Sequence, residues 1–339
     1  MMRSLYSGIS GLRNHQTRMD VIGNNIANVN TTGYKTSRVI FQDIFSQTSS
    51  GGMANTGPIG GTNPIQIGLG IRLSTIDVLH TRSAFARSDN AFDMMVNGDG
   101  FFIAGTMIDP LYEVGSAAYE KLFTRAGNFK LDDEGYLTTS DGRYVLGYVG
   151  EVYVTVVPPV APATEPTYTF DIIPPDVSDP DALTRIRIRI DENSTNLIDA
   201  SNPPDPLPPA TIANILNADA FPGDLMGFSV GNDGSISIIL NEEKMTIGQL
   251  ALAMFSNPGG LEKAGGNYYR VTAPSGAAVI GPALENGSGE IMAGGLEMSN
   301  VDLATEFTDM IVTQRGFQAN SRIITVSDTM LEELVNLKR

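Results

Sequence analysis

The chain has 339 residues, with no Cys, no Trp, two His and a formal net charge of −16. Absence of Cys removes disulfides, thiolate nucleophiles, iron–sulfur clusters and Cys-based zinc sites, and His15 and His80 cannot build a His-rich metal centre between them. The acidic excess, 38 Asp and Glu against 22 Lys and Arg, argues against a chain-wide nucleic-acid binder. At 42% hydrophobic residues there is ample material for cores, and the length suggests about two or three domains.

No stretch approaches the ~18–20 apolar residues needed to cross a bilayer. Met1-Met2-Arg3-Ser4-Leu5-Tyr6 has one charge but no apolar h-region or small-residue cleavage site, so no cleaved export signal is expected. Leu5, Leu12, Met19 and Ile26 then recur every seven residues, joined by Ile22 and Val29 and interrupted by Gly8 and His15. This pattern predicts one continuous amphipathic helix. A sustained period of seven favours a helix–helix seam over packing on a globular body. Residues 46–70 are rich in Gly, Ser, Thr and Pro without a readable period, and predict an extended connector.

From about residue 71 the pattern becomes β. Turn signals at Asn97-Gly98-Asp99-Gly100, Asp132-Asp133-Glu134-Gly135, Asp141-Gly142 and Asn232-Asp233-Gly234 separate strand-like runs. None has the ligand spacing of an EF-hand, and turn chemistry accounts for them. Residues 151–225 read as a separate insert. They hold 13 of the 19 Pro, with 12 acidic and three basic residues. The alternation Arg185-Ile186-Arg187-Ile188-Arg189-Ile190 predicts a strand with one wet face.

Gly227-Phe228-Ser229-Val230-Gly231 matches the nucleophile elbow. The elbow needs a following helix and a later His; here a turn follows, and both His precede Ser229. No phosphate-binding glycine motif stands between a strand and a helix. No catalytic, cofactor or metal residue is therefore assigned. At the far end Leu303, Met310, Phe317, Ile324 and Leu331 recur every seven residues, with Phe307, Ile311 and Leu334 beside them. Ser299 or Asn300 is the expected N-cap, and Asp302 and Glu306 suit a helix N-terminus.

The run Asp20-Val21-Ile22-Gly23-Asn24-Asn25-Ile26-Ala27-Asn28-Val29-Asn30-Thr31-Thr32-Gly33-Tyr34-Lys35 resembles the rod and hook family of the bacterial flagellum. So do Asp93 to Phe102, Leu296 to Leu303, and Thr313-Gln314-Arg315-Gly316-Phe317 through to Arg339. Within the family the nearest likeness is to hook proteins, through Ser4 to Gly11, Gly248 to Ala251, Asn257 to Leu261 and the ending Asn336-Leu337-Lys338-Arg339; distal rod proteins are the alternative. The resemblance implies a multi-domain α+β fold, with paired terminal helices as an inner coiled-coil layer and two mainly-β outer domains. The expected division is 1–30 with 300–339 as helical core, 31–72 as linker, 73–148 with 226–299 as proximal β domain, and 149–225 as outer domain.

It also implies a self-assembling hollow tube outside the cell. The partners would be further copies of the chain, the distal rod below, a hook cap during growth, a hook–filament junction protein above, and the flagellar type III export apparatus. Neither nucleic acid nor membrane insertion is implied. The assembly residues expected at the helical core are Leu5, Leu12, Met19, Ile22, Asn24, Asn25, Ile26, Asn28, Val29, Leu303, Phe307, Met310, Phe317, Ile324, Leu331 and Leu334. The outer-domain contacts are expected to be polar enough to slide, and the terminal helices to lack order in the free subunit.

Overall fold

Asp302 begins the second long helix by accepting a hydrogen bond from the Ala304 backbone N–H at 3.0 Å, a side-chain cap on an otherwise orphaned donor. The cap is therefore Asp302, not Ser299 or Asn300. Asn300 is used otherwise: it donates to Leu79 O and accepts from the Thr36 N–H. These contacts come from a computed structural model describing residues 2–54, 60–107, 119–133, 135–149, 151–157, 167–173, 183–186, 197–199, 228–240 and 243–337. Helix α1 spans Met2–Ala27 and α2 spans Leu303–Asn336.

The chain divides into two compact units. The first comprises residues 1–30, 35–81 and 299–339; the second comprises 31–34 and 82–298. In the first, α1 and α2 run antiparallel, Ser4 lying at Ser327 and Arg18 at Asp309. A long β-ribbon accompanies them. Strand β1 (Ser37–Asp43) pairs with β4 (Ile71–Val78), and β2 (Ser46–Ser50) pairs with β3 (Ile65–Gly68), both antiparallel. The bridge Met53 to Thr62 extends the ribbon. The expected linker is thus a hairpin. Its residues show no period because all of β2 and β3 is exposed, so no buried face imposes alternation.

The second unit is built on a sheet running Ser229–Val230, Ser235–Leu240, Glu243–Met254, Tyr144–Val149, Phe101–Met107, Tyr119–Thr124, Tyr268–Arg270 and Glu262–Gly265. Both faces of its centre are buried. Phe102, Val145, Leu250 and Leu252 enter one apolar cluster; Phe101, Ile103, Leu146, Ala251 and Ala253 enter the other. That is the period of two expected of strands. Each fully buried Phe, Val, Leu or Ile among them contributes about 1.5–3 kcal/mol.

The insert is not wholly separate. Thr184–Arg185 pairs with Tyr144–Val149, Leu183 and Ile186 are buried in the two clusters, and the Arg185 guanidinium lies 4.4 Å from the Tyr136 ring centroid. Outside that return, Glu151–Val157, Thr167–Ile173 and Leu197–Asp199 form a three-stranded sheet. The rest of the Arg187–Ile190 alternation and much of the Pro-rich sequence lie outside the described residues. Ser229 begins a two-residue strand whose turn leads into another strand, where the nucleophile elbow requires a helix.

Candidate assembly site

The face of α1 toward α2 is read from its contacts. Ser4 lies 3.5 Å from Ser327. A Cβ on Gly8 would stand 3.3 Å from Ile324, and one on Gly11 would overlap the Asn320 amide. The His15 ring lies against Gly316, where a Cβ would come within 2.8 Å. Arg18 Nη2 donates to Asp309 Oδ2 at 2.8 Å, and Asn25 Nδ2 donates to Glu306 Oε1 at 3.0 Å. The seam thus consists mainly of small and polar residues. Thr313 and Ser327 are the buried side chains of α2. Gly8 and His15, which break the apolar heptad, lie within the seam.

Of the heptad residues, Ile324 lies in the seam against Gly8. Leu5, Leu12, Met19, Ile26, Met310, Phe317, Ile324 and Leu331 are half-buried, as are Asn28 and Val29; Asn24, Leu303, Phe307 and Leu334 are exposed, and Ile22 is buried. Asn25, of the expected assembly set, makes contacts within the chain. Only 1% exposed, it donates to Ser37 O at 2.9 Å, accepts from Ser37 N–H at 3.1 Å and holds Glu306, so it ties α1 to β1 within the chain. Asn28 donates to the Asn24 carbonyl at 2.9 Å, closing the end of α1. The signal for the seam is Gly8, Gly11 and His15 facing Thr313, Gly316 and Asn320 at spacings of three and four.

Electrostatics follow from this packing. Burial and the Arg18 charge lower the His15 pKa from its ordinary value. Burial raises that of Glu306, against the hydrogen bonds from Asn25 and Thr36. An open cavity of about 240 Å³ lies beside Arg18, Ile22, Arg38, Asn300, Glu306 and Asp309. Among the described residues no cluster of three or more His, Asp or Glu suits a metal ion, and no helix is long and apolar enough to cross a membrane.

The signature after α1 has its own task in the second unit. Gly33 N–H donates to Glu297 O at 2.8 Å, Asn267 Nδ2 donates to Thr32 O at 3.1 Å, and Tyr34 is buried beneath the Lys263 ammonium. Lys35, fully buried in the first unit, donates to Thr81 O at 2.6 Å. Within the second unit, Arg125 and Glu297, at 3.7 Å, form a buried ion pair.

Three family models match the chain. The flagellar basal body rod protein model covers residues 5–35, the D1 domain of flagellar hook protein FlgE/F/G covers 95–201, and the C-terminal model of FlgEFG covers 292–337. The flagellar basal-body rod protein FlgG of Bacillus subtilis is 41% identical over an alignment of 341 positions, covering all of both chains. The chain belongs to the flagellar rod and hook family. It is a structural flagellar subunit, of a family that polymerises into the flagellar axial structure. In Borreliella burgdorferi the flagellar hook protein FlgE is 32% identical over 452 positions and FlgG is 29% identical over 342, each alignment covering all of both chains. The D1 match runs through Leu183–Ile186, the return that the second unit's core uses.

Proposed function

We propose that the chain is the hook subunit, which polymerises into a hollow helical tube outside the cell and works as a flexible joint carrying motor torque to the filament, without catalysis. The observation that carries this reading is the paired comparison within Borreliella burgdorferi, where the hook protein shares 32% and the rod protein 29% of aligned residues. Comparing two proteins of one organism removes the organism's distance as a cause of the difference. The bare apolar flanks of α2 add support, since an exposed apolar helix face calls for a partner.

Export would use the flagellar type III apparatus. The distal rod would lie below, the hook cap at the growing end, and the junction protein above. A second reading, the distal rod, has its own support. The Bacillus rod protein is 41% identical over 341 positions, whereas the hook alignment runs to 452 positions against 339 residues here, so hook relatives carry residues without a counterpart in this chain.

Immunogold labelling of hook–basal bodies purified from the flagellated host separates the two. Gold along the curved external segment is the expected result. Gold confined to the straight rod would replace the hook reading with the rod, and absence from both would sink the two together.

A further inference from the structure

The exposed apolar residues of α2 change flank along the helix. Taking buried Thr313 as the direction of α1 and a rotation of roughly 100° per residue, Leu303, Phe307 and Ile311 lie at about +80°, +120° and +160°. Ile323, Val326 and Met330 lie at about −80°, −140° and −100°. Phe307 and Ile311 are 49% and 59% exposed, and Ile323, Val326 and Met330 are 45%, 50% and 48% exposed.

The first flank continues through exposed, polar Gln314, Gln318, Ser321 and Thr325. The second begins with exposed Thr305 and Thr308 and carries one large apolar residue, Val312, 58% exposed, ahead of Ile323. One apolar patch thus sits near the start of α2 on one side, and another sits toward its end on the opposite side. Phe307 and Ile323 are separated by roughly 24 Å along the axis at 1.5 Å per residue.

A two-fold dimer would place one patch on its own copy, leaving the other bare. Two patches of similar size and chemistry, offset in both angle and height, instead suit a head-to-tail contact that repeats without closing. Resting on the polymer reading above, we propose that the Leu303–Phe307–Ile311 patch of each copy seats on the Ile323–Val326–Met330 patch of the next copy. The two α2 helices run parallel with a stagger of roughly 24 Å. The occupant is a second copy because the matching surface is on the chain itself and its family polymerises.

Absence of Cys makes the contact directly testable. Disulfides require Cα atoms within about 7 Å, so only true neighbours are trapped. The double variant Phe307→Cys/Ile323→Cys, assembled at full length and oxidised, should give a ladder of dimers, trimers and longer species on a denaturing gel. A mixture of the two single variants should give dimers, at a yield several-fold above either single variant alone. Dimers from Phe307→Cys alone at the same yield would overturn the head-to-tail arrangement. Tubes without cross-links would overturn the contact while leaving the polymer reading standing. Should the variants not assemble by themselves, the mixture co-assembled into excess unmodified chain gives the same readout. If the unmodified chain forms no tubes, the polymer reading fails, and this contact with it.

Discussion

Gly33 holds its place for two separable reasons. Its φ of +68° is a left-handed value, and an added Cβ would come within 2.7 Å of Ala126 N and 2.8 Å of the Arg125 carbonyl carbon. Gly142 has φ of +76° with nothing within 4 Å of its Cβ position, so it isolates the backbone contribution. Gly142→Ala should cost about 1 kcal/mol, and Gly33→Ala about 1–3 kcal/mol with clash added. Denaturant unfolding of both variants checks the order; equal costs would refute the role of close packing.

His15 supplies a pH dependence at the same scale. Its folded pKa lies below the ordinary histidine value of about 6.5, through burial and then Arg18. The unfolded chain therefore takes up the proton first. Its contribution is fully present above the ordinary value and is lost as the pH falls toward the lowered folded value. Glu306 acts in the opposite sense: its raised pKa makes the folded state gain on acidification. Hydrogen exchange of α1 in the assembled full-length chain should show protection falling on mild acidification, less so in His15→Gln. An identical pH profile in that variant would remove His15 as the cause.

At the scale of elements, pattern reading worked where a buried face imposed a period. The ends show an apolar period of seven, and the strand Phe101–Met107 alternates between two cores, so helices and strands were legible. It failed where the contact is made by small residues. The α1–α2 seam uses Gly8, Gly11, Gly316 and Thr313 because close backbone approach needs little side chain, and such residues carry no hydrophobic period. Gly316→Leu should force His15 aside and strip exchange protection from α1, leaving the second unit unchanged. Persistent protection would show that the seam tolerates volume there. Leu183 and Ile186 were hidden differently, as apolar residues within an acidic, Pro-rich segment; they flank the strand Thr184–Arg185, which pairs with Tyr144–Val149. Ile186→Ala should destabilise the second unit by about 2–5 kcal/mol, a core-cavity cost that a residue of a detached outer domain would not exact from it. Denaturant midpoints of the full-length chain measure it.

Over the whole molecule, charge follows the same division. Residues 1–40 carry five basic residues and one acidic, whereas 151–225 carry 12 acidic and three basic, so the excess of −16 concentrates away from the first helix. The core pairing shows where the insert can be cut. Gly147 pairs with Thr184 and Leu146 with Arg185, so the strands on either side of residues 150–181 already form an antiparallel ladder. A two-residue Asn-Gly turn suits that geometry. Replacing 150–181 by such a turn keeps this register and removes six acidic residues and no basic one, while Leu183 and Ile186 stay in the sequence to fill the core. If the excised segment makes only polar, sliding contacts between copies, tubes should still form and their bending stiffness should change. Electron microscopy of the assembled variant reads both from contour shape. Loss of tubes from a variant whose second unit remains folded would show that the outer segment is required for assembly.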